Sequence, residues 1–329
     1  MPGVGGCLSS AGKRHIMKKL YILFVFAGLF VFPKTGAAGV GPFPKKVHRI
    51  LFLGNSITYD GKYIVDIETY FIMHYPKRHW EFINVGLPSE TVAGLSEPNH
   101  AGGKFPRPDL HERLARVLAL TKPDLVFACY GMNDGLYLPF DEERFRKFRE
   151  GILWLHEEVV QSGAPIIHLT PPVYDEHRGG SEGYALVLDR YSEWLLQQKD
   201  SLDWKVADLH FPMKKYLEGR RQTDTAFGFA KDGIHPDSLG HWIMAREVLL
   251  YLGEKGVKDA PTISTVLADH PHGAEILALV GEKQHMMKDA WLTAAKHNRP
   301  GMKKGMPLEE ARVKEVEMEK EIWLLSVGR

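Results

Sequence analysis

From His48 onward the chain alternates between short apolar runs and longer amphipathic stretches. The runs fall at 48–53, 80–85, 124–130, 165–170 and 204–209, and each is rich in β-branched or aromatic residues. Runs of this kind suit strands buried on both faces. Around them the spacing predicts helices at about 62–75, 109–121, 141–162, 183–199 and 238–254. In the third, Phe145, Phe148, Ile152, Leu155 and Val159 recur three and four apart and draw a single apolar stripe. Strands interleaved with helices in this way argue for an α/β chain with a parallel five-stranded sheet covered on both faces. Ligands in such sheets bind beyond the carboxyl ends of the strands, so chemistry is expected in the loops after the runs.

The pattern changes near residue 257. No strand follows, and the spacing predicts helices at about 273–296 and 308–326, separated by a turn-rich stretch at 298–307. Leu277, Leu279, Val280, Trp291, Leu292, Trp323 and Leu324 are expected to pack this C-terminal helical extension onto the main body.

The N-terminus reads differently again. Met17 to Ala38 place two lysines before an apolar run of about a dozen residues and then small residues, the build of a secretory signal peptide. Gly36-Ala37-Ala38 is the expected cleavage site, and Met17 the more natural start. The apolar run is short for a span of about 20 residues, although an uncleaved N-terminal anchor is the alternative. Residues 1–38 are thus read as leader and 39–47 as linker, and the mature chain is expected to be secreted or periplasmic, without a membrane span.

Composition adds limits. Of 329 residues, 44% are hydrophobic and 25% charged, ordinary values for a packed globular chain. The net charge is +1. The leader holds five basic residues and no acid, so the body is mildly acidic and offers no basic face for nucleic acid. Cys7 lies in the leader and Cys129 inside an apolar run, where a thiol behaves as a small hydrophobe. Asp232, His235, Asp237 and His241 are close in sequence, but their spacing matches no zinc motif, and neither a metal nor another cofactor is expected.

Three short segments carry candidate chemistry. The first run leads into Gly54-Asn55-Ser56, where a serine on a strand-to-helix turn can present its hydroxyl at the sheet edge; by itself it reads as a helix cap. The third run leads into Gly131-Met132-Asn133-Asp134-Gly135. There Asn133 can aim its amide at an oxyanion or simply close an Asx-turn. Far downstream, Asp232-Gly233-Ile234-His235-Pro236 lets a carboxylate reach an imidazole three residues away. No Gly-x-Ser-x-Gly elbow is present.

In this order and on these elements, the three segments resemble the SGNH/GDSL hydrolases across most of 48–256, which is therefore read as the hydrolase domain. The resemblance implies a three-layer α/β/α sandwich of flavodoxin-like kind, with Ser56 as nucleophile, His235 as base and Asp232 as its orienter. It also implies an oxyanion hole made from the Ser56 N–H, the Asn133 side chain and one more backbone N–H from the segment after the second strand. That segment, Asn84 to Thr91, departs from the family, which usually has glycine two residues before the threonine; here the position is Ser89. Ser89 is the favoured third donor and Gly86 the competitor. Asn55 stands where the family name advertises Asp.

The Gly/Pro-rich loop 96–108 is a candidate substrate wall, with His100 and Arg107 as its contact residues. Tyr137 and Tyr174 follow strand ends and either line the cleft or pack. The expected function is an exported serine esterase working through an acyl-enzyme on a small-molecule or carbohydrate ester, with carbohydrate O-deacetylation the first substrate reading. The alternatives are a lysophospholipase or thioesterase of the same fold, and a non-catalytic binding protein built on it.

Overall fold

A computed structural model describes residues 42–328 and residue 3. The leader and its cleavage site lie outside the described residues. Every predicted strand forms, β1 shifted by one residue and the others shorter at their ends: β1 (Arg49–Gly54), β2 (Glu81–Asn84), β3 (Leu125–Cys129), β4 (Ile166–Leu169) and β5 (Lys205–Ala207). All neighbours pair in parallel in the order β2-β1-β3-β4-β5. This is the flavodoxin-like order, and its direction reverses between β1 and β3, where such sheets open a crevice for ligands. The sheet interior is apolar, as the continuous runs predicted: Phe52 stacks between Phe82 and Phe127, at centroid distances of 6.0 and 5.0 Å.

The helices are α1 (Ser56–Asp60), α2 (Lys62–His74), α3 (Leu114–Thr121), α4 (Glu142–Gln161), α5 (Glu176–Gly179), α6 (Tyr184–Ser201), α7 (His210–Arg221), α8 (Ser238–Tyr251), α9 (Ile263–Leu267), α10 (Gly273–Ala295) and α11 (Leu308–Val327). The chain leaves β1 toward β2 on one side and β3 toward β4 and β5 on the other. Right-handed crossovers therefore put the two sets of connecting helices on opposite faces of the sheet. The stretch expected as one helix at 109–121 opens instead with a 3-10 turn, Leu110–Glu112, capped by the Asp109 side chain. Helix α7 was not legible in the pattern. Pro212 sits in its first turn, where a missing N–H costs nothing, and only His210, Met213 and Leu217 are buried, too thin a stripe to read.

The segment expected as linker joins the core from residue 42 on. Phe43 is buried and meets Phe71 and Trp80 edge-on, and Val47 is buried too. At the other end, α10 lies against α2 and β2, and α11 lies on α10. Ile276, Val280 and Ile322 form the apolar seam between them. Lys283 reaches through to buried Glu68 at 2.7 Å, and Gln284 donates to the other Glu68 oxygen and to the Phe82 carbonyl. Trp291 and Leu292 are buried as expected, whereas Trp323 and Leu324 are exposed. A single residue of register decides it: Ile322 and Ser326 occupy the inner stripe of α11, leaving Trp323 and Leu324 on its outer face. Among the described residues, no helix is long and apolar enough to cross a membrane.

Candidate active site

Ser56 opens α1 directly after β1. The turn is tight because Gly54 carries no Cβ; one there would strike the Thr58 side chain and the Cys129 carbonyl. The Asn55 side chain caps α1 by accepting the Ile57 N–H at 3.1 Å. Position 55 thus works as a helix cap, a role asparagine fills as well as aspartate.

The loop before α8 brings its histidine to this serine. His235 Nε2 lies 2.8 Å from Ser56 Oγ, and His235 Nδ1 lies 2.6 Å from Asp232 Oδ2. The other Asp232 oxygen accepts the backbone N–H groups of Ile234 and His235, at 2.9 and 2.8 Å. The loop keeps this shape because Gly233, at φ +77°, presses against the Asp175–Gly179 turn, and its carbonyl accepts the Asp175 N–H. Partial burial alone would raise the Asp232 pKa. The His235 side chain and the two backbone donors outweigh it and hold the carboxyl at about 2. Asp232 is therefore an anion at neutral pH, fixed against the Nδ1 side of the imidazole. Its neighbours in sequence do other work: Asp237 caps α8, and His241 binds Asp60 at 2.9 Å.

Asn133 follows β3 and is held at both ends of its amide. Its Nδ2 donates to the Glu90 carbonyl at 3.0 Å, and its Oδ1 accepts the Tyr137 hydroxyl at 2.9 Å. One N–H of the amide remains for an oxyanion. Asp134 staples the same loop to the segment after β2 by accepting the N–H groups of Val92, Ala93 and Gly131.

The segment after β2 separates the two competing donors. The Gly86 N–H is already taken by the Asn84 side chain at 2.9 Å. Gly86 instead permits close packing, since a Cβ there would collide with the backbone of Thr58 and Tyr59. The Ser89 N–H meets no protein acceptor among the described residues. Ser89 sits at φ +69°, the left-handed region that glycine fills without strain. The Glu90 N–H donates to the Leu87 carbonyl at 3.2 Å, closing a turn with Pro88 and Ser89 at its centre. Proline cannot take positive φ at the first central position, so this is a type II turn.

Sequence reasoning missed what anchors that turn. Glu90 is fully buried, and Arg113 grips it with two bonds of 2.6 and 2.7 Å; the Tyr130 hydroxyl adds a third at 2.7 Å. Burial opposes the charge on Arg113, yet the Glu90 carboxylate holds its pKa above the ordinary range. Tyr184 was missed as well; its hydroxyl donates to the Met132 carbonyl and accepts the Gly135 N–H, propping the Asn133 loop from inside. Glu90 and Arg113 are 23 residues apart, and no local signal links them.

The loop 96–108 folds on itself. Arg107 spends its fork on Glu97, with two bonds of 2.7 Å, and His100 leans on the same carboxylate at 3.3 Å. The Arg107 guanidinium lies 5.4 Å from the centroid of the Tyr137 ring, behind the hydroxyl that orients Asn133. Neither Arg107 nor His100 makes a hydrogen bond or ion pair with Ser56, Asp232 or His235. Tyr174 is a packing residue, buried against Tyr137 and Tyr184, its hydroxyl accepting the Ser181 N–H. Buried Cys129 has its thiol pushed up to about 12 by burial and takes no part.

The model of the GDSL-like lipase/acylhydrolase family matches residues 52–243. Among solved structures, BT4096, a gut microbial diltiazem-metabolizing enzyme, is 21% identical with a TM-score of 0.52, over 66% of this chain and 49% of that one. The chain thus spans about half of that structure's length. Axe2, an acetylxylan esterase from Geobacillus stearothermophilus, is 22% identical with a TM-score of 0.48, over 63% of this chain and 94% of that one. The likeness to BT4096 speaks to fold alone. No curated protein sequence matches this chain.

The strain at Ser89 is measurable. Left-handed backbone costs a non-glycine residue about 1–2 kcal/mol, while glycine adds about 0.4–1 kcal/mol of unfolded-chain entropy. Ser89→Gly is expected to raise stability by roughly 0.5–1 kcal/mol in urea unfolding, the difference of those two effects. A lowered midpoint would show that the turn does not strain Ser89.

Proposed function

Since the chain belongs to the GDSL-like lipase/acylhydrolase family and is a serine hydrolase acting on ester bonds, we propose that it is an exported esterase that removes short acyl groups, acetyl above all, from carbohydrate through an acyl-enzyme on Ser56. The observation that carries the mechanism is the unbroken chain from Ser56 Oγ through the His235 imidazole to the Asp232 carboxylate.

In this mechanism Ser56 Oγ attacks the ester carbonyl as His235 Nε2 takes its proton. Asp232 keeps the Nδ1–H directed at itself and stabilises the imidazolium that forms. The carbonyl oxygen becomes an oxyanion held by the N–H groups of Ser56 and Ser89 and by the Asn133 amide, donors fixed before the substrate arrives. Collapse breaks the bond to the alcohol, which leaves with the proton from His235. Water then repeats the sequence on the acyl-serine and frees the acid.

The site's exposure supports a short acyl group on a bulky polar alcohol. The His235 and Asp232 side chains are 47% and 52% exposed, so the triad stands at an open edge that a sugar chain can lie across. Export is supported by the leader.

On p-nitrophenyl acetate, the chain from residue 39 is expected to lose about a thousandfold or more in kcat with Ser56→Ala, a loss typical of removing a catalytic nucleophile. Asn133→Ala is expected to cost about 100–1,000-fold, as for one oxyanion donor. Full activity in a folded Ser56→Ala variant would overturn the mechanism. Faster turnover of long-chain esters or thioesters than of acetylated xylose would move a lysophospholipase or thioesterase to first place. Export predicts that the protein recovered from outside the cytoplasm begins at Gly39; recovery from the cytoplasm with residues 17–38 still attached would contradict it.

A further inference from the structure

We propose that Arg299, in the C-terminal extension, is a positioning residue for the oxyanion hole: it holds the Pro88–Ser89 peptide in the orientation that points the Ser89 N–H at the substrate. This rests on Ser89 being an oxyanion donor in the proposed mechanism.

Arg299 Nε donates to the Pro88 carbonyl at 2.9 Å. That carbonyl and the Ser89 N–H are the two ends of one planar peptide, so fixing one end fixes the direction of the other. The peptide is the central one of the Leu87–Glu90 turn. In a type II turn it faces one way; in a type I turn it is rotated by about half a revolution, and its N–H points to the opposite side. Glycine at the second central position favours type II. Serine there favours type I, because type II demands the positive φ that Ser89 is observed to hold. Left to its own preference, the turn in this sequence would swing its N–H away. A guanidinium on the Pro88 carbonyl opposes that flip, and its charge also polarises the peptide and sharpens the N–H as a donor.

Arg299 is itself held in place. Its guanidinium lies 5.4 Å from the centroid of the Phe105 ring, and Nη1 donates to the Pro300 carbonyl and Met302 sulfur. The chain that presents it is tied down on both sides. Arg116 binds the Ala295 and Lys296 carbonyls at 3.0 Å, and the Gly305 N–H binds Thr293 Oγ1 at 2.8 Å. From the same extension, Lys288 donates to the Tyr59 carbonyl on α1 at 2.8 Å. The extension thus clamps both turns that carry backbone donors, and Arg299 compensates for a serine where the family usually has glycine.

The test is a double-mutant cycle on p-nitrophenyl acetate, with kcat and KM measured separately and melting temperatures as the check on folding. Loss of one whole oxyanion donor costs about 100–1,000-fold, so Arg299→Ala is expected to lower kcat by about 10- to 100-fold, with KM changed less than about threefold. In the Ser89→Gly background the same substitution is expected to cost less than about threefold, because glycine holds the type II turn unaided. Arg299→Lys, which keeps the charge and the stem, stands in should the alanine variant not fold; it is expected to show a smaller loss that Ser89→Gly also erases. Equal losses in the two backgrounds, or no loss in either, overturn the proposal. Residual full activity of Ser56→Ala would instead overturn the underlying mechanism, whatever Arg299 does.

Discussion

The edge that carries Ser56, Ser89 and Asn133 is built around Glu90. Its side chain is buried without solvent and gripped by Arg113 and Tyr130, while its main-chain carbonyl holds the Asn133 amide. One residue therefore ties the strained turn after β2 to the loop after β3. A carboxylate in such a place is costly unless paired, and removing one partner of a buried pair typically costs about 3–5 kcal/mol. That penalty fixes the Glu90 end of the turn: neither the Glu90 side chain nor its carbonyl can move without leaving a buried polar group unmatched. The Ser89 backbone can then be kept in a conformation that the residue would not choose.

Topology supplies the rest. The crevice between β1 and β3 places Ser56 and Asn133 at adjacent strand ends, since Gly54 is level with Cys129 in the register. His235 comes from 179 residues further on, yet needs only a short loop held by Gly233 to reach Ser56. The machinery is thus assembled on rigid strand ends and a tightly packed loop, and the solvent-open site lies over a closed foundation.

The strands and the main helices were legible because a doubly covered parallel sheet demands continuous apolar runs, and nothing in those runs competes with that demand. Helix α7 was not, because so little of it is buried. The meeting of Ser56 with the Asp232–His235 pair could be anticipated since these residues sit at a strand end and at a spacing of three. Between Gly86 and Ser89 the sequence favoured Ser89, but it could not show which N–H is free. The Asn84 side chain answers that only once folded. Arg113 and Arg299 were invisible for a related reason: one meets a carboxylate and the other a backbone carbonyl, each far along the chain, and a carbonyl has no sequence signature. Arg107 drew notice as a cation in a long loop, but the structure gives it to Glu97.

The central claim is that Ser56 is the nucleophile and that His235 activates it. The most direct measurement is labelling of the folded protein with a fluorophosphonate, followed by peptide mapping. One adduct is expected, on Ser56, formed rapidly in the native chain and at least about a hundredfold more slowly in His235→Ala, as removing a positioned base costs about that much. An adduct on another residue, or labelling of Ser56 at an unchanged rate without His235, would contradict it.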